Sequence, residues 1–541
     1  MTSSPKPLPN LNDLSLEQQV AQMVVVRASG YLFDHQIQYP AWEPSAKQLE
    51  HLVQNIGVGG VILLGGSAGE LFLRTQQLQN WAKIPLLIAA DIEEGVGQRF
   101  AGATWFPPPM AISAVAAKNL TQAELYAAEM GAITAQEALA IGINWLLAPI
   151  VDVNNNPQNP VINVRAFGET PEIVSKLANA FIKGAQSYGV LTTAKHFPGH
   201  GDTAVDSHID LPVLRHTPPR LAKIELPPFK EAIASGVDAI MSAHLLIPAW
   251  DEQLPATLSR LVLTELLRES LKFAGLIVTD ALIMGAIANR YGADEAPVMA
   301  VEAGADILLM PVNPETAIKA VCDAVKSGRI SATRIHASVE RIWQAKAKVT
   351  APESKLDLTH LAQPAALNTV ANILLDSQQI GGVLPLSLAP HDDVRRLRNL
   401  IVVDDVLAAD FLGRNTPAVT LPRQLGYELQ FVDRNTPRQE EGTRPHGSKP
   451  TLLQVFIRGN PFRGSAGLTP VAEDWFKRLL KTGDLQAMVI YGSPYVLQQF
   501  LPNLPFNTPF VFSYGQMPQA QAIALDVLFS QSIPVNSRLF L

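Results

Sequence analysis

Over roughly the first 350 residues the chain repeats one arrangement. A short, continuously apolar run ends in a polar residue or a glycine, and a stretch with helical spacing follows. The runs fall at 23–27, 60–64, 86–91, 144–152, 190–196, 239–244, 275–280 and 305–310. Uninterrupted apolar runs suit strands covered on both faces, as in parallel sheets with helices packed outside. Eight such strands, most separated by room for a helix, predict a (β/α)8 TIM barrel, with a doubly wound open sheet as the competing arrangement. Polar residues collect at the C-terminal ends of the runs, the face where barrel enzymes carry their chemistry. Among the helical stretches, 172–182 has Gly184 where a helix can stop, and 260–271 has Ser259 placed to cap it. A last helix at 332–348 closes the unit.

The stretch from Thr350 through Asp357 has the proline and polar content of a connection. The expected division is a catalytic barrel over 1–350, a linker over 351–364 and a smaller α/β sandwich domain over 365–541. Strands in the second part are expected at 400–403, 429–432, 453–457, 487–490 and 510–512, with a helix at 520–529 before the C-terminal 538–541. Residues 435–450 read as a polar loop. No catalytic residue types gather there in a recognisable order.

Composition narrows the class. The 541 residues are 47% hydrophobic and 17% charged, with a formal net charge of −7. This is a globular chain, and it gives no electrostatic reason to expect nucleic acid as a partner. The single cysteine, Cys322, rules out an internal disulfide framework and a multi-cysteine metal site. The first ten residues have no signal-peptide core, and no apolar run reaches membrane-spanning length. The expectation is therefore a cytoplasmic protein with no membrane span.

The chemistry sits at the ends of the apolar runs. The third ends at Asp91, followed by Ile-Glu-Glu-Gly-Val-Gly-Gln-Arg99. The fourth leads to Asp152 and then Arg165, the fifth to Lys195-His196, the sixth to His244 and the seventh to Asp280. Taken singly, each has an ordinary explanation: an aspartate can cap a helix, and Arg165 can pair with Glu169. Taken together, groups of both charge signs and several histidines converge on one rim. The loop 195–208 carries Pro198, Gly199 and Gly201, which allow unusual backbone turns, so it can fold over the mouth as a lid. Asp206 and His208 are two residues apart. In an extended loop they share a side, which lets the carboxylate raise the imidazole pKa and set its tautomer.

Other chemistries fit less well. His196, His200, His208 and Asp280 are zinc-ligand types, but Lys195 puts a cation beside them and no H-E-x-x-H element exists, so no metal is expected. There is no Walker loop, and Gly57-Val-Gly-Gly60 does not have the dinucleotide spacing, so no cofactor is expected.

These segments resemble glycoside hydrolase family 3. Lys195-His-Phe-Pro-Gly-His-Gly-Asp202 with Asp206-Ser-His208, and Ile277-Val-Thr-Asp280-Ala-Leu-Ile-Met284, are similar to its β-N-acetylglucosaminidase branch. So are Met241-Ser-Ala-His244 and Pro255-Ala-Thr-Leu-Ser259. The likeness covers roughly residues 12–350, and the second half is similar to the α/β domain of two-domain members.

The resemblance implies Asp280 as the nucleophile of a retaining mechanism and His208 as the acid/base, paired with Asp206. It implies that Asp91, Arg99, Arg165, Lys195 and His196 hold the sugar, and His244 at the same rim is expected to bind it as well. Asp91-Ile-Glu-Glu-Gly95 departs from the family's D-x-E-G-G: Glu94 stands where a glycine is expected. The implied substrate is an oligosaccharide with a terminal non-reducing β-linked N-acetylglucosamine, from cell-wall muropeptides or from chitin-type chains. A β-glucosidase, a glycoside phosphorylase and a non-catalytic sugar-binding protein are the alternatives. The sequence carries no indication of oligomeric state.

Overall fold

The computed structural model describes residues 6–207, 210–349, 356–386, 397–437, 449–459 and 465–529. Eight parallel strands form the first unit: β1 (Val24–Ser29), β2 (Gly60–Leu64), β3 (Leu87–Ala90), β4 (Trp145–Leu146), β5 (Thr193–Phe197), β6 (Ala239–Ser242), β7 (Leu276–Val278) and β8 (Leu308–Leu309). They fall into a sheet of order β4-β3-β2-β1-β8 and a second of order β5-β6-β7. Isolated parallel bridges join the two: Trp145 with Leu191 and Ile150 with Lys195 on one side, Val278 with Ile307 on the other. The eight strands therefore follow one another in cyclic order around a barrel. Each matches an expected apolar run, and most of their residues are buried, as a sheet with side chains inside and helices outside requires.

Pairing of β4 is brief: its chain continues into Pro149, and proline offers no N–H to a neighbouring strand. Val151 resumes the ladder by donating to the Lys195 carbonyl at 2.8 Å. β5 carries two cis bonds, Lys195–His196 and Phe197–Pro198, and its register against β6 shifts between Lys195 and Phe197.

Two helical expectations are sharpened by packing. The helix Pro171–Gln186 starts behind the Thr170 cap with proline in its first turn, but it runs through Gly184 instead of ending there. Gly184 is a contact residue: a Cβ on it would lie 2.0 Å from the Ala128 carbonyl oxygen. Reciprocally, one on Gly131 would lie 2.1 Å from that of Phe181. The helices Leu120–Ala140 and Pro171–Gln186 approach that closely only because both positions lack a side chain. Ser259 does cap the next expected helix, accepting from Val262 N at 3.4 Å. That helix, Leu261–Ser270, is wound throughout as a wide π-helix with i→i+5 bonding, and Leu271 N donates to Leu266 O at 2.9 Å.

The second unit is one six-stranded sheet of order β11-β10-β12-β13-β14-β9. Its strands are β9 (Gln379–Gly381), β10 (Leu397–Val403), β11 (Tyr427–Val432), β12 (Thr451–Ile457), β13 (Leu485–Gly492) and β14 (Phe510–Ser513). Five are parallel, and β9 runs antiparallel along β14 at the edge. The five parallel strands were legible as apolar runs. β9 was not, because it is three residues long and two of them are exposed. The expected helix at 520–529 is Pro518–Phe529. The terminal 538–541 and most of the 435–450 loop lie outside the described residues.

The described part of the expected linker is fastened to the barrel. Asp357 N donates to Ala140 O at 3.2 Å, and Ala362 N to Glu137 Oε1 at 2.8 Å. The following helix, Pro364–Ser377, is tied to the barrel helices by Tyr126 Oη and Lys118 Nζ, which donate to the Asp376 carboxylate at 2.8 Å and carbonyl at 2.7 Å. Among the described residues no helix is long and apolar enough to cross a membrane.

Candidate active site

The rim at the C-terminal ends of the strands is built around a buried charge cluster. Glu93, in the loop after β3, accepts two hydrogen bonds from Arg165, at 2.8 Å from Nε and 2.7 Å from Nη2. It also lies 2.6 Å from Lys195 Nζ. That ammonium sits 2.7 Å from Asp91 Oδ1 as well. Three strand ends thus meet through two cations and two carboxylates. Lys195 comes from β5, where only 1% of its surface is exposed. Burial by itself would raise the Glu93 carboxyl, but Arg165 and then Lys195 outweigh it and hold it well below the usual carboxylate range. Burial pulls the Lys195 ammonium down, and Asp91 and Glu93 more than reverse that. Glu93, Lys195 and Arg165 are therefore charged at neutral pH. The Asp91 side chain remains 34% exposed, so its carboxylate still faces outward and can accept hydroxyl donors.

A second cluster fixes the base of the 195–208 loop. Asp152 is fully buried. Its carboxylate accepts the backbone N–H of His196 at 3.1 Å and of His200 at 2.7 Å, and its Oδ2 lies 2.8 Å from His196 Nδ1. Burial works to raise it, but the two histidines and these donors bring it below its ordinary value. The His200 ring stands between Thr203 Oγ1 at 2.8 Å on Nδ1 and Ser207 Oγ at 3.0 Å on Nε2. Burial lowers its pKa to about 4, against the pull of Asp152 and Asp280. At neutral pH it is an uncharged imidazole with one donor and one acceptor, which suits two hydroxyl partners. It ties the loop at Thr203 and at Ser207, the residue after Asp206. Asn159 adds a clamp, its Nδ2 donating to the carbonyls of His200 and Gly201 at 2.9 Å each.

Asp280 follows β7 and is partly exposed. Its Oδ1 accepts from Ala281 N at 2.8 Å. His244, fully buried after β6, has Nδ1 2.8 Å from Thr257 Oγ1 and Nε2 3.0 Å from the Ala281 carbonyl. A carbonyl only accepts, so Nε2 carries the proton. His244 thereby holds the backbone beside Asp280. Thr257 lies in the Pro255–Ser259 segment noted above.

The structure brings Asp91, Lys195 and Arg165 into direct or shared contact, and sets His196 and Asp280 around His200. Arg99 is exposed, its Nε donating to the Asp91 carbonyl at 3.0 Å. Asp206 is buried. His208 lies outside the described residues. The simple pairing open to Arg165 is corrected: its partner is Glu93, while Glu169 accepts from Tyr495 Oη of the second unit at 2.5 Å. Sequence reasoning passed over Glu93, and gave His200 and Asp152 no role. Glu93 was visible in Asp-Ile-Glu-Glu, but only its two buried cations show what it does.

One group of metal-ligand types occurs among the described residues, Asp202, His216 and Glu225. Arg220 occupies it, with Nη1 2.7 Å from both Glu225 oxygens and Nη2 3.4 Å from Asp202. A guanidinium there already neutralises the carboxylates.

Residues 15–345 match the glycosyl hydrolase family 3 N-terminal domain, and residues 391–530 match the bacterial glycosyl hydrolase family 3 C-terminal domain. A β-hexosaminidase A from Pseudoalteromonas piscicida is 35% identical over 375 residues, 63% of this chain and 62% of that protein. The match thus spans less than two thirds of that relative's length. A β-hexosaminidase from Thiobacillus denitrificans is 36% identical over 264 residues, 48% of this chain and 73% of that one. Among solved structures, a glycoside hydrolase family 3 β-N-acetylglucosaminidase from Paenibacillus sp. str. FPU-7 superposes with a TM-score of 0.76 at 32% identity. It covers 96% of this chain and 98% of its own.

Proposed function

The chain belongs to glycosyl hydrolase family 3, and on that premise we propose that it is a retaining exo-β-N-acetylglucosaminidase. The observation that carries this reading is the Asp91–Lys195–Glu93–Arg165 cluster at the same rim as Asp280. It presents a fixed carboxylate, Asp91, backed by buried cations, to a ligand rich in hydroxyl groups, next to a second, partly exposed carboxylate. Preorganised charges of this kind strengthen contacts made in the transition state. The relatives named for β-hexosaminidase and β-N-acetylglucosaminidase activity support the acetamido sugar.

In this mechanism Asp280 attacks the anomeric carbon as the glycosidic C–O bond breaks, and His208 gives its proton to the leaving oxygen. A covalent glycosyl–Asp280 ester results. His208, now neutral, takes a proton from water, the water oxygen attacks the anomeric carbon, and Asp280 leaves with retention of configuration. An imidazole titrates near neutral pH and serves both steps. Asp206 supports the imidazolium. Asp91, Lys195, Arg165, Arg99 and His196 hold the terminal sugar, and His244 keeps Asp280 in place. Cell-wall fragments released inside the cytoplasm are the proposed substrate source. The lone cysteine, Cys322, is a buried free thiol and suits a reducing compartment. Cell fractionation tests the location.

The test of activity is turnover of aryl N-acetyl-β-glucosaminide against aryl β-glucoside, with and without phosphate. Preference for the acetamido sugar, unaffected by phosphate, is expected. Preference for glucoside, or a phosphate requirement, replaces the substrate or the acceptor in this reading. Trapping with a fluorinated N-acetylglucosamine analogue should label Asp280, and a label elsewhere removes it as nucleophile.

A further inference from the structure

The second unit reaches into the rim at one buried point. Arg458 follows β12, and its Nη1 and Nη2 donate to Glu94 Oε2 at 3.1 Å and Oε1 at 2.7 Å. Both side chains are nearly buried, with 10% of Arg458 and 1% of Glu94 exposed. Glu94 is the residue that stands where the family resemblance led to a glycine. It is also the immediate neighbour of Glu93. Its carboxylate takes a further bond from Trp105 Nε1 at 3.2 Å, and its backbone N–H donates to Gln98 Oε1 at 3.0 Å.

The chain around Arg458 is itself held in place. Gly459 packs on the loop after β4, where a Cβ would lie 2.6 Å from that of Asn163. Gly492, at the end of β13, has φ 124° and leaves room beside Arg458, whose Cβ would otherwise lie 3.0 Å away. A second strut stands nearby: Tyr495 Oη accepts from Asn154 Nδ2 at 2.9 Å and reaches Glu169.

We propose that Arg458 of the second unit is a positioning residue for the Asp91–Glu94 loop, so that the grip on the terminal sugar is completed by the second unit through the Arg458–Glu94 pair. The physical reason is the consecutive placement of two buried carboxylates. Glu93 must pair with Lys195 and Arg165 for Asp91 to be held outward. An unpaired Glu94 beside it would compete for the same cations or draw the loop toward water, because a buried charge without a partner is strongly disfavoured. Arg458 supplies Glu94 with its own planar, two-donor partner, so the two carboxylates have separate counter-charges and the loop has one arrangement. The sugar-binding role of Asp91 in this statement rests on the proposed function.

The experiment compares full-length wild type, R458A, R458K, E94Q and E94Q/R458A with aryl N-acetyl-β-glucosaminide, well below each melting temperature. R458A is expected to raise KM about tenfold or more while kcat changes less than about threefold. R458K should recover part of the loss, and E94Q/R458A should be less impaired than R458A because the stranded charge is gone. Hydrogen exchange supplies a readout independent of turnover: amides over 92–106 should exchange at least about tenfold faster in R458A, with those of the barrel floor unchanged.

A folded R458A with wild-type KM and wild-type exchange overturns the proposal. So does a variant that loses melting temperature alone, which would make the pair simple inter-unit glue. If R458A does not fold, R458K and E94Q carry the same comparison. If the wild type turns over no glycoside, the proposed function falls, while the exchange result still decides whether Arg458 orders the loop.

Discussion

The two ends of the barrel each bury a carboxylate among cations, and they do so in opposite senses. At the floor, Asp306 is fully buried and saturated. It accepts from Arg268 at 2.6 Å, Arg341 at 3.1 Å, Ser338 at 2.6 Å and the Ile277 N–H at 3.0 Å, with Arg334 at 3.5 Å. Those arginines spend their other donors on carbonyls, among them Gly275 O and Ala305 O, both at 2.8 Å. Burial and the two neighbouring arginines bring Arg268 down to about 10, still charged at neutral pH. The acid is inside and the cations lie outward, so the cluster closes a seam. At the mouth, the cations Lys195 and Arg165 are inside, with Glu93 locked between them. The outermost acid, Asp91, keeps a face to solvent. The same chemistry inverted leaves an acceptor for a ligand. This agrees with the division of barrel labour into a stabilising floor and a working mouth.

The largest test of this contrast is at the partly exposed acid on the mouth. Asp280→Ala should lower kcat for the aryl glycoside about 10⁴-fold, with circular dichroism and melting temperature near wild type. Near-normal turnover would leave the mouth without its proposed nucleophile.

The next pair sets end against end. Glu93→Gln leaves buried Arg165 without its carboxylate and Lys195 with Asp91 alone, Asp306→Asn removes the acid shared by three arginines, and either break costs about 3–5 kcal/mol in the region it holds. Glu93→Gln should also cut kcat/KM about 100-fold or more. Asp306→Asn should lower the melting temperature and leave kcat and KM of the folded protein unchanged. The reverse outcome would abolish the distinction between the ends.

A wall control follows. Gly184→Ala forces a Cβ to within 2.0 Å of the Ala128 carbonyl and should cost about 1–3 kcal/mol of stability with normal kinetics. A kinetic defect there would mean that the mouth senses helix packing.

The smallest effect is a pH slope. The folded pKa of His200, about 4, lies below the unfolded value of about 6.5. Between these values the unfolded chain binds more protons, so stability falls as pH drops from about 6.5 toward 4, by at most about 1.4 kcal/mol per pH unit. The contribution is complete above that window. Melting temperatures of wild type and His200→Asn across pH 4–7 should show a shallower slope in the variant. Parallel slopes would take His200 out of the acid response. Glu93 has the same sign by a different route. Its folded pKa is depressed, so its contribution is present above the ordinary carboxylate value and is lost as pH falls through the lower folded one.

Local pattern alone revealed much of this molecule. Alternation of apolar runs with helical stretches located all eight barrel strands and five of the six in the second sheet, because a parallel strand covered on both faces is apolar over most of its length; the edge strand β11, half exposed, was located only over 429–432. The polar ends of those runs named Asp91, Lys195, His196, His244 and Asp280 as one rim, since the C-terminal ends of barrel strands converge whatever their separation in sequence. Family likeness of the 195–208 and 277–284 segments supplied the expected division of roles.

Pairing, by contrast, was decided only by the fold. Arg165 meets Glu93 across 72 residues, not the nearby Glu169, and Arg458 meets Glu94 across 364. Nothing local marks such partners, because the energy of a buried charge depends on what else is buried with it. Gly184 shows the same limit: as a residue type it suggested a stop, and only the approach of a second helix made it a contact. Composition and periodicity determine which residues go inside and which face the mouth. Which buried charge neutralises which, and so which acids stay open to a substrate, is settled when distant segments are brought within hydrogen-bonding distance in a place that water does not reach.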